Sequence, residues 1–247
     1  MRNLKEKILR NLRKSRKKRK TFIFRIVLIL LVLSIFYAIY MYQLAPPGPA
    51  QNEFERVKSD YILMLFQCAV GSIVIFLPSR VERHFGIDIP DIMEIMYFIF
   101  LFCAIYLGEV RNFYFKVPYW DLILHSFSAA MLGALGFILV NFLNDMNRPE
   151  IHLSPFFVAL FAFCFAVTCG VVWEIYEFLA DGILGTNMQK FIEADGTVLI
   201  GREALRDTME DIIVDAVSAL AVTALGYIHL RNEIRRHRKS EASLNSN

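Results

Sequence analysis

Thiols are scarce in this chain. Its four cysteines, Cys68, Cys103, Cys164 and Cys169, fall inside apolar stretches without ligand-like pairing, which argues against a disulfide framework and a thiolate metal centre and leaves packing as their role. A glycine-rich nucleotide-binding pattern is missing, as is the Gly-x-Ser-x-Gly turn of a serine nucleophile, so nucleotide cradles and that class of hydrolase are set aside. The basic N-terminal run has no interleaved aromatic residues and so no platform for base stacking, and nucleic acid is not an expected partner. The first apolar stretch is too long for the core of a secretory signal. No small-x-small cleavage site stands near Pro46 to Pro49, so an uncleaved anchor is expected.

Hydrophobicity is what the chain has in excess: 56% hydrophobic residues, 22 Phe and a mean hydropathy of +0.43. A soluble domain of this size carries less. Six apolar stretches stand out, at 22–44, 61–77, 92–108, 120–143, 155–180 and 208–230, each near the roughly 20 residues that a spanning helix needs. The second and third are the shortest. The sequence therefore predicts an all-α, polytopic membrane helical bundle of about six transmembrane helices. A basic cytoplasmic extension (1–21) precedes the membrane domain (22–230), and a basic cytoplasmic tail (231–247) follows it. With both termini in the cytoplasm, 20 of the 27 Lys and Arg fall on inside segments and 7 outside, as the positive-inside rule requires. The expected partners are the lipid bilayer and anionic lipids at the basic N-terminus, where Ile8, Leu9 and Leu12 take amphipathic spacing.

Ionisable groups inside such stretches are costly and are tolerated where they pair, bind an ion or line a wet cavity. Among them here are His125, Glu174, Glu177, Asp211 and Asp215, with Asp121, Asp181 and Asp207 at the stretch ends. At about 100° per residue, Asp207, Asp211 and Asp215 fit an arc of about 80° on the sixth stretch, and Glu174, Glu177 and Asp181 fit about 60° on the fifth. Asp121 and His125 are one turn apart on the fourth. The topology puts all three sets at the extracytoplasmic end. Asp207, with Glu210 three residues on, reads as a capping box, and Asp121 as a helix cap. Glu177 and Asp181 lie near a helix C-terminus, where carboxylates oppose the macrodipole and call for a cation or a proton.

Three balancing agents remain open: a divalent ion, outside-loop arginines such as Arg111, Arg202 and Arg206, or raised pKa values that neutralise some carboxyls. Carboxylates with one imidazole and no thiolate suit Mg²⁺, Mn²⁺ or Zn²⁺. The candidate ligand set is Asp121, His125, Glu174, Glu177, Asp207, Asp211 and Asp215, and the candidate catalytic groups are His125, Glu174, Glu177 and Asp211. The plainer alternative is a set of interhelical hydrogen bonds and arginine pairs that locks the bundle.

Four ordered motifs carry a resemblance: Trp120-Asp121-Leu122-Ile123-Leu124-His125, Trp173-Glu174-Ile175-Tyr176-Glu177-Phe178, Gly185-Thr186-Asn187 and Asp207-Thr208-Met209-Glu210-Asp211. Over residues 120–226 the chain resembles the bacterial YjdF-type family of uncharacterised integral membrane proteins, and it is loosely similar in motif order to VanZ-like proteins. The resemblance implies a bacterial plasma-membrane location and marks Asp121, His125, Glu174, Glu177, Asp207 and Asp211. The chain departs from that pattern in the longer insertion between Gly185-Thr186-Asn187 and Asp207.

That insertion, residues 182–206, contains Gly182, Gly185, Gly196 and Gly201. It reads either as a flexible lid whose Lys190, Arg202 and Arg206 meet a phosphate or carboxylate, or as an ordinary exposed connection. Small residues (Ser128, Ala129, Gly133 and Gly136; Ala216, Ser218, Ala219 and Ala221) predict close helix approach. The sharpest functional expectation is a metal-assisted hydrolase or transferase acting on an amphiphilic or lipid-linked substrate at the extracytoplasmic face, with a carboxylate or His125 as general base. A proton- or cation-coupled transporter is the competing class, kept open by Asn141 and Asn144, and a non-catalytic scaffold is the third.

Overall fold

A computed structural model describes residues 2–48, 50, 52, 55–146 and 153–244, with side chains described from residue 15 onward apart from 141–146, 237–239 and 241–244. The side chains of Ile8, Leu9, Leu12, Asn141 and Asn144 therefore lie outside the described residues. Among the described residues the chain is all-α, with no strand and one isolated bridge between Ile192 and Val198. Six helical segments are long and apolar enough to cross a membrane: Ser15–Leu44, Lys58–Phe85, Asp91–Val110, Trp120–Val140, Pro155–Leu184 and Arg206–Arg236.

The helices are α1 (Arg2–Leu44), α2 (Lys58–Val74), α3 (Leu77–Phe85), α4 (Asp91–Leu101), α5 (Phe113–Lys116), α6 (Trp120–Met146), α7 (Pro155–Leu184) and α8 (Arg206–Leu244). Local chemistry explains several of their ends. The Asp60 carboxylate accepts the Val57 N–H at 2.8 Å and so dresses the start of α2. Pro78, which has no N–H to give, sits in the first turn of α3. Gly86 closes α3 at φ 68° in the left-handed region. The second span is consequently two helices in series, longer than its apolar stretch. The third was expected to be an ordinary helix, but α4 passes into a π-helical segment, Phe102–Val110. A register with i→i+5 bonding is set by tertiary packing and has no composition of its own.

Two compact units divide the chain. The first comprises residues 1–124 and 177–207, where α1 packs on α2, α4 and the π-helical segment through Val27, Leu31, Met64, Cys68, Phe98 and Ile105. Gly71 permits this approach, because a Cβ there would strike Ile105 Cδ1 and stand 3.3 Å from Leu31 Cδ1. Polar ties supplement the apolar ones. Lys20 lies 2.6 Å from Asp91 and is also paired with Glu94. Arg56 donates to the carbonyls of Glu109 and Val110, two of the acceptors released where the π-helical segment ends.

The second unit comprises residues 125–176 and 208–247, carried by α6, α7 and α8. Its centre is a cluster of small residues, Ala129, Ala166 and Ala219. A Cβ at Gly136 would come within 2.7 Å of Ala162 Cα, so backbones meet there with only hydrogen between them. Small-residue contact of this kind is how helices associate where lipid removes the hydrophobic drive. Outward faces carry Val172, Ile175, Ile213, Val217, Leu220 and Leu225, all exposed. Hydrocarbon accepts such a coat and water does not.

Candidate functional site

In the second unit three helices converge on one imidazole. His125 comes from the second turn of α6, Glu174 from α7, and Asp211 and Asp215, one turn apart, from one face of α8. Only 6% of His125, 4% of Glu174, 1% of Asp211 and 2% of Asp215 is exposed. His125 Nδ1 lies 3.3 Å from Asp215 Oδ1 and 3.4 Å from Oδ2. On the other edge of the ring, Nε2 lies 3.7 Å from Glu174 Oε1 and 3.7 Å from Asp211 Oδ2.

The backbone makes room for this arrangement. Gly170 stands one turn before Glu174 on α7, and a Cβ there would collide with the Asp215 carboxylate, its Cγ only 3.0 Å away. A hydrogen in place of a methyl thus lets Asp215 reach the ring. Beside the cluster, Ser218 Oγ donates to Ser126 Oγ at 2.9 Å and links α8 to α6.

The two ring edges have different work. The Asp215 carboxylate at Nδ1 fixes the plane of the ring, which turns Nε2 toward Glu174 and Asp211. Donors about 2.0–2.2 Å from a tetrahedral ion lie roughly 3.3–3.6 Å from one another. Each of the two Nε2–carboxylate separations, 3.7 Å, comes near that value, and the donor chemistry, oxygen with one imidazole, suits a hard or borderline divalent ion.

The first unit handles its acids otherwise. Lys190, from the segment after α7, is paired with Asp121, lies 3.9 Å from Asp207 Oδ2 and stands 4.7 Å above the Tyr114 ring. Asp121 and Asp207 were expected as caps, but each lies inside the first turn of its helix, where a carboxylate still complements the macrodipole. The expectation that Asp181 needs a cation or a proton is corrected. Its carboxylate accepts Thr186 Oγ1 at 2.7 Å, Met188 N–H at 2.7 Å and Gln189 N–H at 3.0 Å. Glu177 is buried one turn beyond Glu174 on α7.

The insertion after α7 is an ordered hairpin, where a flexible segment was one expectation. Gly185 (φ 64°) ends α7, Asn187 pairs through its side chain with both the N–H and the carbonyl of Ile192, and Leu199 N–H reaches Phe191 O at 2.8 Å. At the tip, the Thr197 N–H holds the Asp195 carboxyl below the usual carboxylate range.

Two buried acids escape the sequence reading, Glu94 in α4 and Glu109 in the π-helical segment. The signal was available, since each is an acid within or bordering the third apolar stretch.

Known proteins add a family and a distant relative. A family described as "Predicted membrane protein (DUF2238)" matches residues 23–232. An uncharacterized protein of Thermotoga maritima is 29% identical over 153 residues, which cover 62% of this chain and 70% of that protein. No solved structure matches.

Proposed function

The chain belongs to this DUF2238 family of predicted membrane proteins, and for it we propose a divalent-metal-dependent hydrolase or transferase acting on an amphiphilic or lipid-linked substrate at the extracytoplasmic face of the bacterial plasma membrane. The observation that carries this reading is the divided use of His125, with Nδ1 on Asp215 and Nε2 3.7 Å from both Glu174 and Asp211. A carboxylate that orients a histidine, whose other nitrogen faces two further carboxylates, is consistent with a metal ligand and its supporting shell. The resemblance to YjdF-type and VanZ-like proteins agrees with the bacterial membrane setting, and the bias of Lys and Arg supports termini in the cytoplasm.

His125, Glu174 and Asp211 would hold the ion, with Asp215 as the orienting residue. Asp121 and Asp207, also among the candidate ligands read from the sequence, are held by Lys190 within the first unit. When bound, a divalent ion supplies polarisation of an ester or phosphoryl oxygen and a bound water acidic enough to ionise near neutral pH. A carboxylate of the set or His125 would serve as the general base. Burial inside apolar helices favours a substrate that arrives from the membrane.

Elemental analysis of the purified protein tests the reading. One divalent ion per chain is expected, lost in His125→Ala and Glu174→Gln. Metal-free native protein of full stability and full activity in cells overturns it. Ion flux in proteoliposomes that depends on these residues would replace the enzyme with a transporter.

A further inference from the structure

The hairpin between α7 and α8 lies outside the membrane spans, yet it displays large aliphatic side chains. Ile200 is 82% exposed, Val198 58% and Leu205 56%, and Ile183 at the end of α7 is 79% exposed. Its outgoing limb, residues 186–192, is already engaged, through Thr186, Met188 and Gln189 with Asp181, Asn187 with Ile192, and Lys190 with Asp121 and Asp207. The tip is polar, with Glu193, Asp195 and Thr197 at the turn.

We propose that the return side of this hairpin, residues 198–205, is a lipid-inserting edge whose partner is the bilayer interface, with Val198, Ile200 and Leu205 in the acyl boundary and Arg202 at lipid phosphate. The anchoring carries the argument. Both ends of the hairpin are ends of membrane spans, Leu184 and Arg206, so residue 200 lies within about 20 Å of chain from the last span even if fully extended. The turn that brings Leu205 N–H to Gly201 O at 3.3 Å shortens that reach. Aliphatic side chains bracketing an exposed arginine are the composition of an interfacial segment, in which the apolar part enters the acyl boundary and the guanidinium meets phosphate. An acidic tip stays in water. The edge would place lipid beside the segment that holds Lys190, and it stands independently of the metal reading.

Tryptophan depth measurement tests it. Ile200→Trp and, as the internal control, Glu193→Trp are reconstituted into phosphatidylcholine vesicles containing anionic phosphatidylglycerol, with and without brominated acyl chains. Each is read as a difference from the wild type, which has Trp120 and Trp173. Blue-shifted emission at position 200, quenched by brominated lipid and shielded from iodide, is expected, with the reverse pattern at position 193. Iodide quenching of the Ile200→Trp indole equal to that of the Glu193→Trp indole overturns the proposal. So does a blue shift that brominated lipid leaves unquenched, since the edge is then covered by protein, a second copy of the chain included.

Discussion

The protein manages acid in two ways, and the contrast between its units says what each group is for. In the first unit the chain supplies its own partners: the Lys190 ammonium for Asp121 and Asp207, and a hydroxyl with two backbone N–H groups for Asp181. In the second, three buried carboxylates face one imidazole, which can carry at most one positive charge. A lysine on a loop fastens structure. An imidazole held from one side by an aspartate is oriented toward the groups on its other side.

The largest effect expected is at His125. His125→Ala leaves Glu174, Asp211 and Asp215 buried around a gap and should cost about 3–5 kcal/mol, with complete loss of bound metal by elemental analysis. Should that variant melt like the wild type and keep its ion, the contrast between the units collapses. Gly170→Ala is a sharper probe, because it removes no functional group. The added methyl displaces the Asp215 carboxylate, at about 1–3 kcal/mol, and should weaken metal binding in calorimetry roughly tenfold to a hundredfold, the usual penalty for disturbing a supporting residue. Lys190→Met should cost about 1–2 kcal/mol in a detergent melt while metal content stays at the wild-type level. A loss of metal there would erase the distinction between fastening and function. The smallest effect is at Asp181→Asn, about 1 kcal/mol, read as faster proteolysis of the 185–205 hairpin with an unchanged global melt.

What the sequence disclosed follows from range of interaction. Six apolar stretches and the acidic stripes on the last three are local patterns, and periodicity alone aligns Asp211 with Asp215. The meeting of Lys190 with Asp121 joins residues far apart in the chain and is written in no spacing. Gly170 reads as one more small residue until Asp215 is seen against it. Asp181 misled because its partners, the N–H groups of Met188 and Gln189, exist in every residue and show only when the chain turns back on itself.

The π-helical segment has a consequence for the surroundings of the protein. Asp91–Val110 is the shortest span, 20 residues, and would measure about 30 Å if α-helical throughout. Wider turns over Phe102–Val110 advance less per residue, and Glu94 and Glu109 near its two ends shorten the apolar part again. Against a hydrocarbon slab of about 30 Å this span has no length to spare for tilt. It must stand close to the bilayer normal or draw the two leaflets together around itself, so the protein should favour membranes of shorter acyl chains and sort accordingly.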